Sequence, residues 1–160
     1  MTDEVVLRDV VESDIALFFE QQGDPEGFKM AGFTATDPTD RAAYLETWAR
    51  IRSDPHTIMR TILFNGRVAG DVLSHEKESG RPEAGYWLGK EFWGQGIATR
   101  ALTAFLGEMT QRPIYARTAK DNAASLRVLR KCGFTITGEE KAFANARDEE
   151  IEVYLLTREE

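Results

Sequence analysis

At 160 residues the chain has the length of one domain, 1–160, and enough of it to bury a core; its 42% hydrophobic and 29% charged content is that of a soluble globular protein. A net charge of −7 argues against nucleic acid as a partner, no apolar run approaches a membrane span, and Met1-Thr2-Asp3-Glu4 has neither the basic region nor the apolar core of a secretory signal. The lone Cys132 allows no internal disulfide and the distant His56 and His75 suggest no ligand set, so no metal is expected and the cytoplasm is the expected compartment.

Residues 4–10, with Val5-Val6-Leu7, read as a first strand. Ser13-Asp14 is placed to cap a helix carrying Ile15, Leu17, Phe18 and Phe19, which Gly23-Asp24-Pro25-Glu26-Gly27 ends. Residues 28–38 lack a clear period and read as a loop. Thr39-Asp40 opens a second helix with Ala43, Tyr44, Trp48 and Ile51, closed near Asp54-Pro55. Residues 57–64 and 67–74 read as strands joined by Asn65-Gly66, a strong two-residue hairpin signal. A polar loop over 77–82 follows. Tyr86, Trp87 and Leu88 then form a short strand, and Ala98, Ala101, Leu102, Phe105, Leu106 and Met109 fall at helical spacing. Residues 113–118 read as another strand. Asn122 caps a helix that continues through Leu126, Leu129 and Arg130 and stops at Gly133. Residues 135–137 and 151–156 read as two final strands. The order β-α-α-β-β-β-α-β-α-β-β has one βαβ unit flanked by hairpin strands. It implies an α/β (α+β) domain, with a central mixed, mostly antiparallel sheet of about seven strands and helices on both faces.

The stretch that organises the chain is the turn Trp93-Gly94-Gln95-Gly96-Ile97-Ala98-Thr99 between a strand and a helix. Its small residues let a ligand approach the backbone. A helix start offers unpaired N–H groups and a partial positive charge. Together these make an anion site suited to phosphate. It is not a P-loop, because no Gly-Lys-Ser/Thr follows. It departs from the dinucleotide fingerprint because Thr99 stands where a third small residue belongs.

Gly94-x-Gly96-x-Ala98-Thr99 after a strand resembles the pyrophosphate-binding turn of the GNAT acyltransferases. Asn122-x-x-Ser125…Lys131-x-Gly133-Phe134 resembles the second hallmark of that family, and Tyr86-Trp87-Leu88…Phe92-Trp93-Gly94-Gln95-Gly96-Ile97-Ala98-Thr99 is similar to the branch that includes the ribosomal-protein N-terminal acetyltransferases. The element order agrees, so the resemblance spans nearly the whole chain and implies a single GNAT-type domain. It implies acetyl-coenzyme A as acyl donor. Trp93, Gly94, Gln95, Gly96, Ile97, Ala98 and Thr99 would meet the pyrophosphate, Tyr86, Trp87 and Leu88 would flank the pantetheine arm, and Asn122 and Ser125 would contact the arm from the later helix. The backbone N–H of Trp87 or Leu88 is the expected donor to the thioester carbonyl.

The acceptor implied is a primary amine, either a protein N-terminus or a small amine, with no nucleic acid and no membrane as partner and a monomer or homodimer as the assembly. Glu83 is the expected base, its pKa raised by burial beside apolar side chains; Asp71, Glu76 and His75 are alternatives. The tyrosine that many family members place just before Lys-x-Gly-Phe is absent, since Val128-Leu129-Arg130-Lys131 stands there. Ser125 is the remaining hydroxyl and is expected to assist the leaving thiol. Arg117, Lys120, Arg127 and Arg130 are candidates for the adenosine 3′-phosphate. The missing tyrosine leaves a second reading, a non-catalytic acyl-CoA-binding or sensing module.

Overall fold

The computed structural model describes residues 3–27, 39–76, 80–144 and 147–160. The expected loop over 28–38, part of the loop over 77–82 and part of the last turn lie outside these. Strand β1 (Val5–Arg8) leads to helix α1 (Glu12–Gln22) and helix α2 (Arg41–Ser53). Strands β2 (Ile58–Phe64), β3 (Arg67–Glu76) and β4 (Pro82–Leu88) follow, then helix α3 (Ile97–Glu108), strand β5 (Ile114–Ala119), helix α4 (Ala123–Lys131) and strands β6 (Thr135–Ala144) and β7 (Glu149–Arg158). This is the expected order. The strands form one seven-stranded sheet in the order β1-β2-β3-β4-β5-β7-β6, antiparallel except where β4 meets β5.

Alternation along the strands sends side chains to two cores. On one face Ile62, Val72, Ala84, Leu88, Ile114 and Leu156 pack with Ile97, Leu102, Phe105 and Leu106 of α3 and Leu129 of α4. On the other, Met59, Val68 and Leu73 pack under Ile15 and Phe18 of α1 and Trp48 of α2. The Phe18 and Trp48 rings sit 5.2 Å apart and join the two helices.

Local chemistry sets the element ends. Asp40 caps α2 by accepting from Ala43 N at 3.0 Å, and Asn65 and Gly66, with φ of 51° and 82°, make the hairpin turn. Three expectations need correction. Ser13 does not cap α1. The helix starts at Glu12, and Asp14 inside its first turn accepts from Val11 N at 3.0 Å. Asp14 is instead a buried hub that also takes Arg8 Nη1 at 2.6 Å and Thr61 Oγ1 at 2.7 Å. Strand β3 runs on to Glu76, so His75 and Glu76 belong to it. The last two strands are ten residues each, because they pair along their whole length rather than over their apolar residues alone.

Gly70 is a position the sequence did not mark. A Cβ there would stand 2.0 Å from the Trp87 carbonyl oxygen. Strands β3 and β4 can approach this closely only with glycine at the contact. Gly70→Ala is expected to destabilise the fold by about 1–3 kcal/mol or more. Gly66→Ala, with nothing within 4 Å of its Cβ, carries only the strain of its φ of +82° and should cost on the order of 1 kcal/mol. Urea midpoints of the two variants compare them, and equal losses would contradict the close approach.

Candidate active site

Strands β4 and β5 are parallel neighbours that pair at one point, Glu83 with Tyr115. Beyond it they part, and a cavity of about 490 Å³ opens between them. The lining on β4 is Ala84, Gly85, Tyr86, Trp87 and Leu88, and on β5 Ala116, Arg117, Thr118 and Ala119. Small residues on both lips, Ala84 and Gly85 on one and Ala116, Thr118 and Ala119 on the other, alternate with larger ones along an opening long enough for an extended ligand. The resemblance read from the two motifs implies such a parting of the strand before the glycine turn from its neighbour; the residue pattern alone does not show it, because strand partners are set by topology.

At the far end the cavity meets the glycine turn. A short 3₁₀ turn, Lys90–Phe92, follows β4, and the Trp93 indole N–H donates to Leu88 O at 2.9 Å. Gly94 and Gly96 both hold φ of +75°, and a Cβ on either would meet nothing within 4 Å. Open space over left-handed glycines is the shape of a cradle whose occupant would be displaced by a side chain. Arg100 is the first α3 residue to donate to a backbone carbonyl of the helix start, Gly96 O at 3.2 Å. The N–H groups of Ile97, Ala98 and Thr99 thus remain for a ligand, with the helix dipole behind them. Donors, dipole and open glycines fit a diphosphate.

Helix α4 closes the cavity from the side. Its cap, Asn122, accepts from Ser125 N at 3.2 Å, and both residues line the cavity. The Tyr86 side chain faces the same cavity from β4, and burial pushes its phenol up to about 12. Arg127 and Lys131 also line the cavity and are exposed, four residues apart on one helical stripe.

Tyr86, Trp87, Leu88, Trp93, Gly94, Gly96, Ile97, Ala98, Thr99, Asn122 and Ser125 are therefore brought together around one cavity. Gln95 is not part of the lining; its side chain turns back to donate to Glu91 O at 3.2 Å. Of the four basic candidates, Arg117 and Arg127 line the cavity. Arg117 is also bonded to Glu83 and Glu140, and Lys120 pairs with Glu139 and Glu152. Arg130 is not part of the lining. Lys131, part of the second hallmark in the sequence, was not among the four basic candidates.

Backbone direction narrows the carbonyl donor. Gly89 N donates to Ala69 O on β3 at 2.8 Å. Alternate strand residues share a direction, so Trp87 also turns its N–H toward β3, while Tyr86 and Leu88 turn theirs toward the opening. Between the two expected donors this favours Leu88.

The other face of β4 has a different character. Antiparallel partners share a face, and the register sets Asp71 beside Trp87 and His75 beside Glu83. Between them Gly85 is exposed, with nothing within 4 Å of its Cβ position. The Trp87 indole donates to Gln21 O of α1 at 3.4 Å, fixing it under the helices. Glu83 keeps 14% of its side chain exposed and accepts from Arg117 Nε at 3.1 Å. It stands beside the cavity, at the point where the strands part, without lining it. Asp71 is 7% exposed, and burial pushes its carboxyl up to about 7. Among the described residues no group of three or more potential metal ligands occurs, and no helix is long and apolar enough to cross a membrane.

Comparison with known proteins agrees with this geometry. The profile of the family described as "Acetyltransferase (GNAT) domain" matches residues 4–135. A Bacillus subtilis protein named as a ribosomal N-acetyltransferase, YdaF, is 28% identical over 140 residues, 80% of this chain and 76% of its own. The structure of Mycobacterium smegmatis RimJ in complex with CoA-disulfide superposes with a TM-score of 0.83 at 21% identity, covering 97% of this chain and 81% of that one. Vibrio cholerae spermidine N-acetyltransferase in complex with CoA and spermine superposes with a TM-score of 0.79 at 18% identity, covering 96% of this chain and 94% of that one. Those two superpositions speak to the fold.

Proposed function

We propose, from the premise that the chain belongs to the GNAT acetyltransferase family, that it transfers an acetyl group from acetyl-CoA to a primary amine by direct attack on the thioester. The observation that carries this reading is the parting of β4 and β5 into a cavity that ends on the glycine turn and the start of α3. That shape suits a pantetheine arm along β4 with its diphosphate on the helix N-terminus. Arg127 and Lys131 are proposed for further phosphate contact. Leu88 N–H is proposed to polarise the thioester carbonyl.

The acceptor is taken to enter on the α1/α2 face near Gly85, with Glu83 and His75 on one side of it along the sheet and Asp71, opposite Trp87, on the other. Glu83 is proposed to take the proton of the incoming ammonium, because it sits where the strands part. Asp71 is the alternative. Ser125 is proposed to assist the leaving thiol. Relatives named for ribosomal proteins and for spermidine supply the two acceptor classes, a protein N-terminus and a small polyamine. The chain is read as one domain acting in the cytoplasm.

Acetyl-CoA at a hundredfold its dissociation constant should stabilise the fold by about 2.7 kcal/mol, read as a rise in melting temperature. CoASH release across amines and basic peptides then tests transfer. A melt indifferent to millimolar acetyl-CoA removes the assignment. Binding without turnover over a wide panel moves it to an acyl-CoA-binding module.

A further inference from the structure

An ion pair spans β4 and β5 where the two strands begin to part. Arg117 of β5 donates from Nε to Glu83 Oε1 of β4 at 3.1 Å. The same guanidinium donates from Nη1 to Glu140 Oε1 of β6 at 3.4 Å. We infer that Arg117 is a specificity-determining residue for the acceptor: it is a movable counter-ion that yields Glu83 to an incoming ammonium and stays held by Glu140. The inference rests on the acetyl-transfer reading above, with Glu83 as its base.

Position comes first. Ala116 packs in the core under α3 and α4, so its neighbour Arg117 stands on the opposite face, the one covered by α1 and α2. Glu83 shares that face. Two residues on from it, Gly85 is the register partner of Leu73, which packs under those helices. Glu83 and Tyr115 mark the one point at which β4 and β5 pair. Gly85 lies two residues beyond it on β4 and Arg117 two beyond it on β5, so the two positions face each other across the parting. Gly85 is exposed, with nothing within 4 Å of its Cβ position. An acceptor coming in over Gly85 therefore meets Arg117 as it meets Glu83.

Charge then decides. An ammonium that docks on Glu83 beside a bound guanidinium is repelled by it. Two further basic groups flank the pair: His75 of β3 is the register partner of Glu83, and Arg81 lies over the Tyr115 ring at 5.1 Å. A cationic acceptor thus gains most if Arg117 steps aside. The guanidinium can do so because different nitrogens serve the two carboxylates, and letting go of Glu83 leaves the bond to Glu140 in place. The Arg117 side chain is 32% exposed and that of Glu140 41%, so packing locks neither.

The test is the KM of the best cationic amine from the panel for the wild type, Arg117→Gln and Glu140→Gln. Arg117→Gln removes the competitor and should lower that KM about fivefold; Glu140→Gln removes the alternative partner, commits Arg117 to Glu83 and should raise it by a similar factor, the worth of one partly exposed charge contact. The KM of acetyl-CoA should stay unchanged in Glu140→Gln, because Glu140 is not part of the cavity lining. Shifts of the amine KM in the same direction, either shift reversed, or an amine KM unchanged in Glu140→Gln would each overturn the inference. Should Arg117→Gln not fold, Glu140→Gln alone decides, and a lower or unchanged amine KM overturns it. A wild type that turns over no amine removes the acetyl-transfer reading itself, and this inference with it.

Discussion

Glu83→Gln is expected to lower turnover by roughly 10²–10⁴, the usual worth of a positioned acid or base. The substitution keeps the shape and still accepts the hydrogen bond from Arg117 Nε, 3.1 Å away in the wild type. It removes only the capacity to hold a proton. Acetyl-CoA affinity should stay nearly unchanged, because Glu83 is not part of the cavity lining. Wild-type kcat/KM should rise with pH along a limb set by the base, and the variant should lose or displace that limb. An acceptor amine of low pKa should partly escape the defect. A loss of less than about threefold with the limb intact would move the role to Asp71, which shares the face, or to a water chain.

The largest effect on stability is expected at Asp71. Its folded carboxyl is pushed up to about 7 by burial, against an ordinary value of 3.8. The folded state therefore holds a proton that the unfolded chain gives up. The stability this confers is fully present below about pH 4 and is lost as pH rises through about 7. A shift of about three units corresponds to a loss on the order of 4 kcal/mol at full ionisation. Asp14 works in the opposite sense. Burial pushes its carboxyl up, but hydrogen bonds from Arg8, Val11 N–H and Thr61 outweigh that and hold it below the usual range, so its contribution is lost in acid instead.

Asp71→Asn cannot ionise and should flatten the decline between pH 4 and 8 while leaving the acid limb from Asp14 in place. Urea midpoints against pH for both proteins give the comparison; identical slopes above pH 5 would contradict the buried, raised carboxyl.

The glycine turn and the Asn122 cap were legible in the sequence because their chemistry is local. Left-handed glycines, unpaired helix N–H groups and a side chain that caps the third residue onward depend on residues within one turn of each other. The same holds for Asn65-Gly66 and Asp40. The element order was legible for the same reason, since period and punctuation are short-range. Ser13 misled because Asp14 of α1 is held by Arg8 and Thr61, which reach it from β1 and β2.

The sequence by itself determined the family's two hallmarks, the secondary-structure order and the apolar faces, all of which are properties of neighbouring residues. The tertiary structure alone decided the rest. It brought Tyr86 and Ser125 to one cavity, turned the Leu88 N–H toward the opening and the Trp87 N–H toward β3, and set Gly70 hard against β4. It also placed Glu83 in the grip of Arg117 and buried Asp71 opposite Trp87, on the same face of the sheet. These depend on which strands meet and in what register, and burial and pairing across that register, not residue type, set what each carboxyl and hydroxyl can do.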